Sequence, residues 1–165
     1  SRMVLKAPGF DSDPVRRDVA ILFGKAGIEE SRLCFRGKTS RYQHLEVYGH
    51  VDIALDTFPH GGGVTTWESL YMGVPMIVYA GVSAGQRASS AILASLGLEE
   101  LIARDKDEFV SIANRLARDR SMIGRYRGSL RDRLLRSPVA DTARYTARVE
   151  KAYRLMWKKW CRQPT

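Results

Sequence analysis

The chain has 165 residues, of which 44% are hydrophobic and 27% charged, close to the composition of an ordinary globular domain. This balance excludes a wholly disordered chain, and no apolar run reaches the roughly 18 residues that a membrane-spanning helix needs. Two cysteines, Cys34 and Cys161, are too few and too far apart for a disulfide framework or a metal cluster. We therefore expect a reduced, cytoplasmic protein without a membrane partner.

The net charge of +9 is concentrated in the last third of the chain. Residues 1–100 hold 10 Lys and Arg against 11 Asp and Glu, whereas residues 101–165 hold 17 against 7. Such an excess can mark an acidic partner, an anionic lipid surface or a nucleic acid. We favour the simpler interpretation, a solvated arginine-rich face of helices, and predict no nucleic-acid partner.

Short apolar runs alternate with helix-like segments over the first hundred residues. The runs predict strands at Met3–Ala7, Leu33–Phe35, Val51–Leu55 and Met76–Tyr79. Helical spacing and Pro and Gly positions predict helices at about 14–27, 42–48, 66–72 and 84–95. Strands that alternate with helices are typical of βαβ units. The pattern therefore indicates an α/β fold in which a parallel sheet carries helices on both faces.

Beyond residue 100 the strand pattern disappears and helical periodicity replaces it. Helices are predicted at about 105–118, 121–135 and 141–160, with a chain break at Ser137-Pro138. The last helix carries an apolar stripe that we expect to pack on the sheet: Tyr145, Val149, Ala152, Met156 and Trp160. The sequence thus divides into an α/β part at 1–104 and a helical part at 105–165, which together form one structural domain.

The most informative segment is the glycine run Gly61-Gly62-Gly63. It follows a strand that ends at Asp56 and precedes a helix that begins near Thr66. Glycine lets backbone N–H groups converge with no Cβ in the way, and the start of a helix adds N–H groups and partial positive charge. One interpretation is therefore a diphosphate site at the carboxyl edge of the sheet.

The glycine run matches neither the dinucleotide fingerprint nor the P-loop, so a second interpretation stays open on spacing alone. In that alternative, residues 65–68 form a capping box in which Glu68 folds back onto the helix start. In the functional interpretation Glu68 instead accepts hydrogen bonds from a ribose diol. Asp56 is expected to cap the turn from strand to loop. Arg87 could face a phosphate or pair with an acid.

Three stretches follow one another along the chain: DIALDTFPHGGGVTTWESLYMGVPMIVYAG, GQRASSAILASLGLEELIARDKDEFVSIANRLARD and RGSLRDRLLRSPVADTARYTARVEKAYRLMWKKW. In this order the chain resembles the C-terminal catalytic region of the O-linked N-acetylglucosamine transferase and SPINDLY family (glycosyltransferase family 41). The resemblance covers nearly the whole chain. It implies that residues 1–104 are a Rossmann-like, nucleotide-sugar-binding half-lobe. That half-lobe would belong to the C-terminal lobe of a GT-B glycosyltransferase, and the chain would be a piece of a larger protein.

The resemblance also implies a set of substrate-binding residues. The family's diphosphate loop falls on Gly62, Gly63, Val64 and Thr65, its ribose carboxylate on Glu68, and its base-binding stretch on Thr39, Arg41 and His44. Animal members place a histidine and a threonine at Gly63 and Val64, a lysine at Arg41 and an arginine at Val47. These departures leave the affinity and the choice of sugar open.

The activity that the resemblance implies is inverting transfer of a sugar from a UDP-sugar to Ser or Thr of acceptor proteins. The sugar expected first among the candidates is N-acetylglucosamine. No metal or other cofactor is expected. The implied partners are an upstream catalytic lobe and tetratricopeptide repeats. No catalytic residue is assigned to this chain. The isolated chain is therefore expected to be inactive. The alternatives are a nucleotide-responsive or protein-interaction module with an eroded site, a relative that uses GDP-fucose, and a nucleic-acid binder.

Overall fold

The computed structural model describes residues 1–162, apart from the side chain of residue 86; the last three residues of the predicted helical part lie outside the described residues. The strands are β1 (Met3–Lys6), β2 (Leu33–Arg36), β3 (Ala54–Leu55), β4 (Met76–Tyr79) and β5 (Ile102–Ala103). The helices are α1 (Asp13–Lys25), α2 (Arg41–Glu46), α3 (Val64–Tyr71), α4 (Ala84–Ser95), α5 (Lys106–Arg118), α6 (Arg120–Leu135) and α7 (Thr142–Trp160). Short 3-10 turns cover Pro8–Asp11, Glu30–Arg32, Val47–His50 and Glu99–Leu101.

The chain forms two compact units, one spanning Ser1–Val51 and one that begins at Asp52. In the first unit β1 and β2 pair in parallel. In the second unit β3, β4 and β5 lie in that order and are also parallel, with Ala54 opposite Met76. The predicted α/β class and parallel pairing are confirmed. The strands, however, belong to two sheets and not to one.

The larger core belongs to the second unit, where α5 contacts β4 and β5, and α6 contacts α3 and α5. Its fully buried side chains come from strands and helices alike: Leu70, Ile77, Val78, Leu93, Leu98, Leu101, Leu116, Leu130 and Leu134. The sheet and the helices after residue 104 therefore share one hydrophobic core. Helices α5 and α6, which follow residue 104, therefore belong to the same compact unit as β3, β4 and β5.

Strand β5 was not predicted from the sequence. It has only two residues, too few to show the alternation by which a strand is recognised, and it pairs with β4 through Val78 and Tyr79. Strand β3 is likewise shorter than the predicted Val51–Leu55. Pairing with β4 nevertheless fixes its carboxyl end, because the N–H of Asp56 donates to the carbonyl of Ile77 at 2.9 Å.

Helix α7 does not bury the stripe that the sequence assigned to it. Tyr145 is 66% exposed, Met156 63% and Trp160 69%; Val149 is half-buried, and α7 has no buried residue. The expected packing on the sheet is therefore wrong for residues 1–162. Within the same residues, none of the helices is both long and apolar enough to cross a membrane.

Some arginines of the basic C-terminal part hydrogen-bond to backbone carbonyls at the ends of other helices. The Nε of Arg131 on α6 donates to the carbonyl of Tyr71 at 2.7 Å, and its guanidinium lies 4.6 Å from the centre of the Tyr71 ring. Arg133 donates to the carbonyl of Gly97 at 2.5 Å. Carbonyls at or just after a helix C-terminus lack acceptor partners within the helix, and cations satisfy them well. These contacts agree with the interpretation of the charge as a property of helix surfaces.

Candidate functional site

The glycine run lies between the carboxyl end of β3 and the first turn of α3. Asp56 is buried directly after β3, and its Oδ1 accepts the N–H of Thr57 at 3.0 Å and the N–H of Gly62 at 2.7 Å. The prediction that Asp56 caps the turn is confirmed. The Gly62 N–H is consequently occupied by this carboxylate, so Gly62 holds the loop in place and does not offer its N–H to a ligand.

Two further side chains fix Gly62 from helices α3 and α4. The hydroxyl of Ser89 donates to the Gly62 carbonyl at 2.8 Å and lies 2.9 Å from the hydroxyl of Thr66. Thr66 and Ser89 are fully buried. We call these two residues, together with Asp56, the Gly62 network.

The sequence reasoning missed Ser89 and the role of Thr66. One signal was available for Ser89: it falls at helical spacing from Leu93 and Leu96, on the buried face of α4. A serine on an apolar face must find a hydrogen-bond partner there, because burial of an unpaired hydroxyl is unfavourable.

Helix α3 begins at Val64, two residues earlier than the sequence suggested. Its N-cap is Gly63, which has no side chain to cap the helix, and the carbonyl of Gly63 accepts the N–H of Trp67 at 3.2 Å. The proposed capping box at residues 65–68 is therefore wrong. Glu68 lies one residue beyond the first turn and is buried.

The start of α3 is open on its outer side. Val64 is 67% exposed, Thr65 is exposed, and a Cβ added to Gly63 would meet no atom within 4 Å. The N–H groups of a first helical turn have no acceptor within the helix, and the helix dipole adds partial positive charge at the same place. The loop and α3 thus form the kind of site in which backbone N–H groups bind an anion.

Arg87, whose role the sequence left open, contacts its own loop. Its Nε donates to the carbonyl of Gly81 at 3.2 Å, at the entry to α4. The guanidinium therefore helps to fix the loop after β4.

The predicted base-binding residues lie in the first unit, around α2. A capping box begins this helix: the N–H of Gln43 donates to the Ser40 hydroxyl at 3.3 Å, and the N–H of Ser40 donates to the Gln43 side chain at 3.2 Å. Thr39 directly precedes the box, and its hydroxyl accepts from Lys6 at 2.8 Å.

Arg41 and His44 lie three residues apart on α2, and so on neighbouring positions of one helix face. The His44 ring stands edge-on to Tyr48, with ring centres 5.8 Å apart. The structure thus brings Thr39, Arg41 and His44 together within the first unit. It brings Gly62 to Glu68 together within the second. That the two groups bind one ligand stays a prediction.

A parallel α/β fold with a glycine loop ahead of a helix is typical of proteins that bind phosphate-bearing ligands at the carboxyl ends of strands. The family model described as glycosyl transferase family 41 matches residues 12–149. This match covers most of the chain, which therefore belongs to glycosyl transferase family 41.

Individual relatives agree with this assignment. The chain is 37% identical over 162 residues to a probable UDP-N-acetylglucosamine–peptide N-acetylglucosaminyltransferase SPINDLY of Solanum lycopersicum. It is 29% identical over 134 residues to a UDP-N-acetylglucosamine–peptide N-acetylglucosaminyltransferase of Caenorhabditis elegans. These matches cover 98% and 81% of this chain, but only 17% and 12% of the relatives.

A solved structure also matches, that of an O-GlcNAc transferase mutant of Thermobaculum terrenum. The TM-score is 0.91 at 34% identity, and the match covers 97% of this chain and 31% of the other. The fold expected from the sequence is thereby confirmed.

Proposed function

We propose that this chain is the UDP-sugar-binding part of a protein O-glycosyltransferase, which transfers N-acetylglucosamine from UDP-N-acetylglucosamine to Ser or Thr with inversion. The observation that carries the proposal is the glycine loop at the start of α3, in a chain of family 41. The relatives are named as UDP-N-acetylglucosamine–peptide N-acetylglucosaminyltransferases, which supports the donor and the protein acceptor.

In this mechanism the loop stabilises the leaving group. As the glycosidic bond breaks, negative charge grows on the diphosphate, and N–H groups of Gly63, Val64 and Thr65 face it together with the dipole of α3. Because Gly63 and Val64 offer no side-chain donor, the backbone N–H groups carry the interaction at these two positions. We propose, as a separate point, that no metal ion is required.

The remaining residues would position the nucleoside. The Glu68 carboxylate accepts hydrogen bonds from the ribose hydroxyls, and Thr39, Arg41 and His44 contact the uracil and the nucleotide. None of these residues is assigned to proton transfer from the acceptor. We propose that this step belongs to an upstream lobe of a longer protein that also carries tetratricopeptide repeats. The 165-residue chain alone should then show no transfer to peptide, and turnover by it would contradict this division of roles.

We propose that the protein is cytoplasmic. Cys34 and Cys161 are both free thiols, as expected where glutathione and thioredoxin keep thiols reduced. This supports the proposal of a cytoplasmic protein.

A titration of the chain with UDP, followed through its backbone amide NMR signals, tests the proposal. We expect saturable shifts at residues 61–68 and 39–44, unchanged by EDTA. The variant Glu68→Gln keeps the size of the buried side chain, and should weaken binding about tenfold because a charge-assisted hydrogen bond is lost. The control Glu99→Gln changes an exposed carboxylate of the same unit and should bind as the parent does.

Two results would count against the proposal as stated. Tighter binding of GDP than of UDP would move the donor towards a guanosine sugar such as GDP-fucose. Loss of binding with EDTA would require a metal ion. An absence of shifts at millimolar UDP would mean either an incomplete site in this chain or an eroded one, and the same titration on the full-length protein would decide between them.

A further inference from the structure

We propose that Ser89 is a positioning residue for the diphosphate loop: through the Gly62 carbonyl, its hydroxyl sets the direction of the Gly63 N–H. The inference rests on the proposed function, since it concerns the same loop. Ser89 itself lies in α4, 26 residues beyond Gly63, and is fully buried. It therefore contacts the loop from its buried side.

The hydrogen bonds of Ser89 have a defined direction. A serine hydroxyl has a single hydrogen, which Ser89 donates to the Gly62 carbonyl at 2.8 Å. In the 2.9 Å contact with Thr66, the threonine hydroxyl must therefore be the donor. The Thr66 hydroxyl therefore donates to Ser89, and the Ser89 hydroxyl donates to the Gly62 carbonyl. Because both side chains are fully buried, water does not compete with the bond between them.

The carbonyl of Gly62 and the N–H of Gly63 belong to one peptide group. This group is planar and trans, since the cis bond of the described chain is Phe58–Pro59, and so its C=O and N–H point in opposite directions. With the carbonyl held towards buried Ser89, the Gly63 N–H points away from Ser89. Rotation of the peptide would turn this N–H inwards and remove it from the phosphate-binding set.

Glycine on both sides makes the peptide easy to rotate, because neither neighbour has a Cβ to resist the change. The preceding peptide is held separately, by the 2.7 Å bond from the Gly62 N–H to Asp56. Removal of the Ser89 hydroxyl should therefore release the Gly62–Gly63 peptide while Asp56 keeps the loop attached to β3.

The test compares Ser89→Ala with Ser69→Ala in the 165-residue chain. Ser69 is equally buried, and its hydroxyl also donates to a backbone carbonyl, that of Val74 at 2.9 Å, at the other end of α3. The amide signal of Gly63 is measured without ligand, and UDP binding is then titrated. We expect Ser89→Ala to shift the free Gly63 signal and to weaken UDP binding about five- to tenfold. Ser69→Ala should lower the melting temperature similarly but leave the Gly63 signal and the UDP affinity unchanged.

A second variant covers the case in which Ser89→Ala does not fold. Thr66→Val preserves the shape of the side chain but removes the hydroxyl that donates to Ser89. It should shift the Gly63 signal in the same direction by a smaller amount.

The possible failures are distinguishable. Equal UDP affinity and an unmoved Gly63 signal in Ser89→Ala would overturn the inference while the proposed function stands. A full-length parent protein that does not bind UDP would overturn the proposed function. The Gly63 signal of the free variants would then still decide whether Ser89 orients this peptide.

Discussion

Gly62 and Gly63 are adjacent in the loop but differ in the space around them. A Cβ on Gly62 would lie 2.6 Å from the Thr65 hydroxyl, 2.9 Å from that of Thr66 and 3.0 Å from the Asp56 carboxylate. A Cβ on Gly63 would meet nothing within 4 Å. The first glycine is thus required by packing, and the second leaves room for a ligand.

This difference gives a stability prediction. Gly62→Ala should lower the free energy of unfolding by about 1–3 kcal/mol, because the hydroxyls of Thr65 and Thr66 must move to admit the methyl group. Gly63→Ala should lower it by less than about 1 kcal/mol, as expected for a change that meets no neighbour. Urea denaturation of the two variants measures the difference, and equal losses would contradict the geometry described for the loop.

Tyr126 on α6 makes the free energy of unfolding depend on pH in the alkaline range. The side chain is buried, and its hydroxyl donates to a Glu100 carboxylate oxygen at 2.7 Å. Burial, and then the bond to Glu100, raise the pKa of Tyr126 above its ordinary value. A pKa raised in the folded state gives stability that is present below the unfolded pKa of about 10 and is lost as the pH rises above it.

Tyr126→Phe should therefore lower the free energy of unfolding at neutral pH by about 1–1.5 kcal/mol, the contribution of one hydrogen bond. The variant should also lose less stability than the parent between neutral pH and pH values above about 10. Tyr145→Phe, at a side chain that is 66% exposed, is the matched control. Denaturation at two pH values makes the comparison, and parallel losses in parent and Tyr126→Phe would show that another group dominates the alkaline response.

At the scale of elements, α7 contributes little to the stability of the second unit. None of its side chains is buried, whereas Leu130 on α6 is fully buried in the core. A chain ended at residue 140 should unfold within about 0.5 kcal/mol of the parent, and Leu130→Ala should cost about 2–5 kcal/mol. Thermal and urea unfolding provide the measurement. A loss on truncation as large as that of Leu130→Ala would mean that α7 packs on the unit in solution.

Helix positions were predictable where the helix-ending and capping residues agree with the spacing of the hydrophobic residues. Helix α4 was predicted at its observed bounds, and α5, α6 and α7 within one residue at either end. The start of α3 is not predictable from the pattern because Gly63 caps it without a side chain, and the polar residues after Gly63 resemble a capping sequence. For α7, the sequence showed which face is apolar but not what covers that face, because the pattern of a packed helix and of an uncovered one is the same.

At the scale of the molecule, the division into units depends on contacts between distant segments. Periodicity located α5 and α6 correctly, but only the packing of α5 on β4 and β5, and of α6 on α3 and α5, shows that sheet and helices share a core. The site shows the same limit. Asp56 and the glycine run are close in sequence and were predicted together, whereas Ser89 reaches Gly62 across 27 residues and the hydrogen bond exists only in the folded chain.

The exposed face of α7 has a consequence for spectroscopy. The chain has three tryptophans, of which Trp157 and Trp160 on α7 are 67% and 69% exposed, and Trp67 on α3 is half-buried beside the glycine loop. Two of the three tryptophans are therefore already in water in the folded chain and report on α7. Replacement of both by phenylalanine would leave Trp67 as the single tryptophan, whose spectrum, excited selectively over tyrosine, then reports on the helix that begins at the proposed diphosphate site.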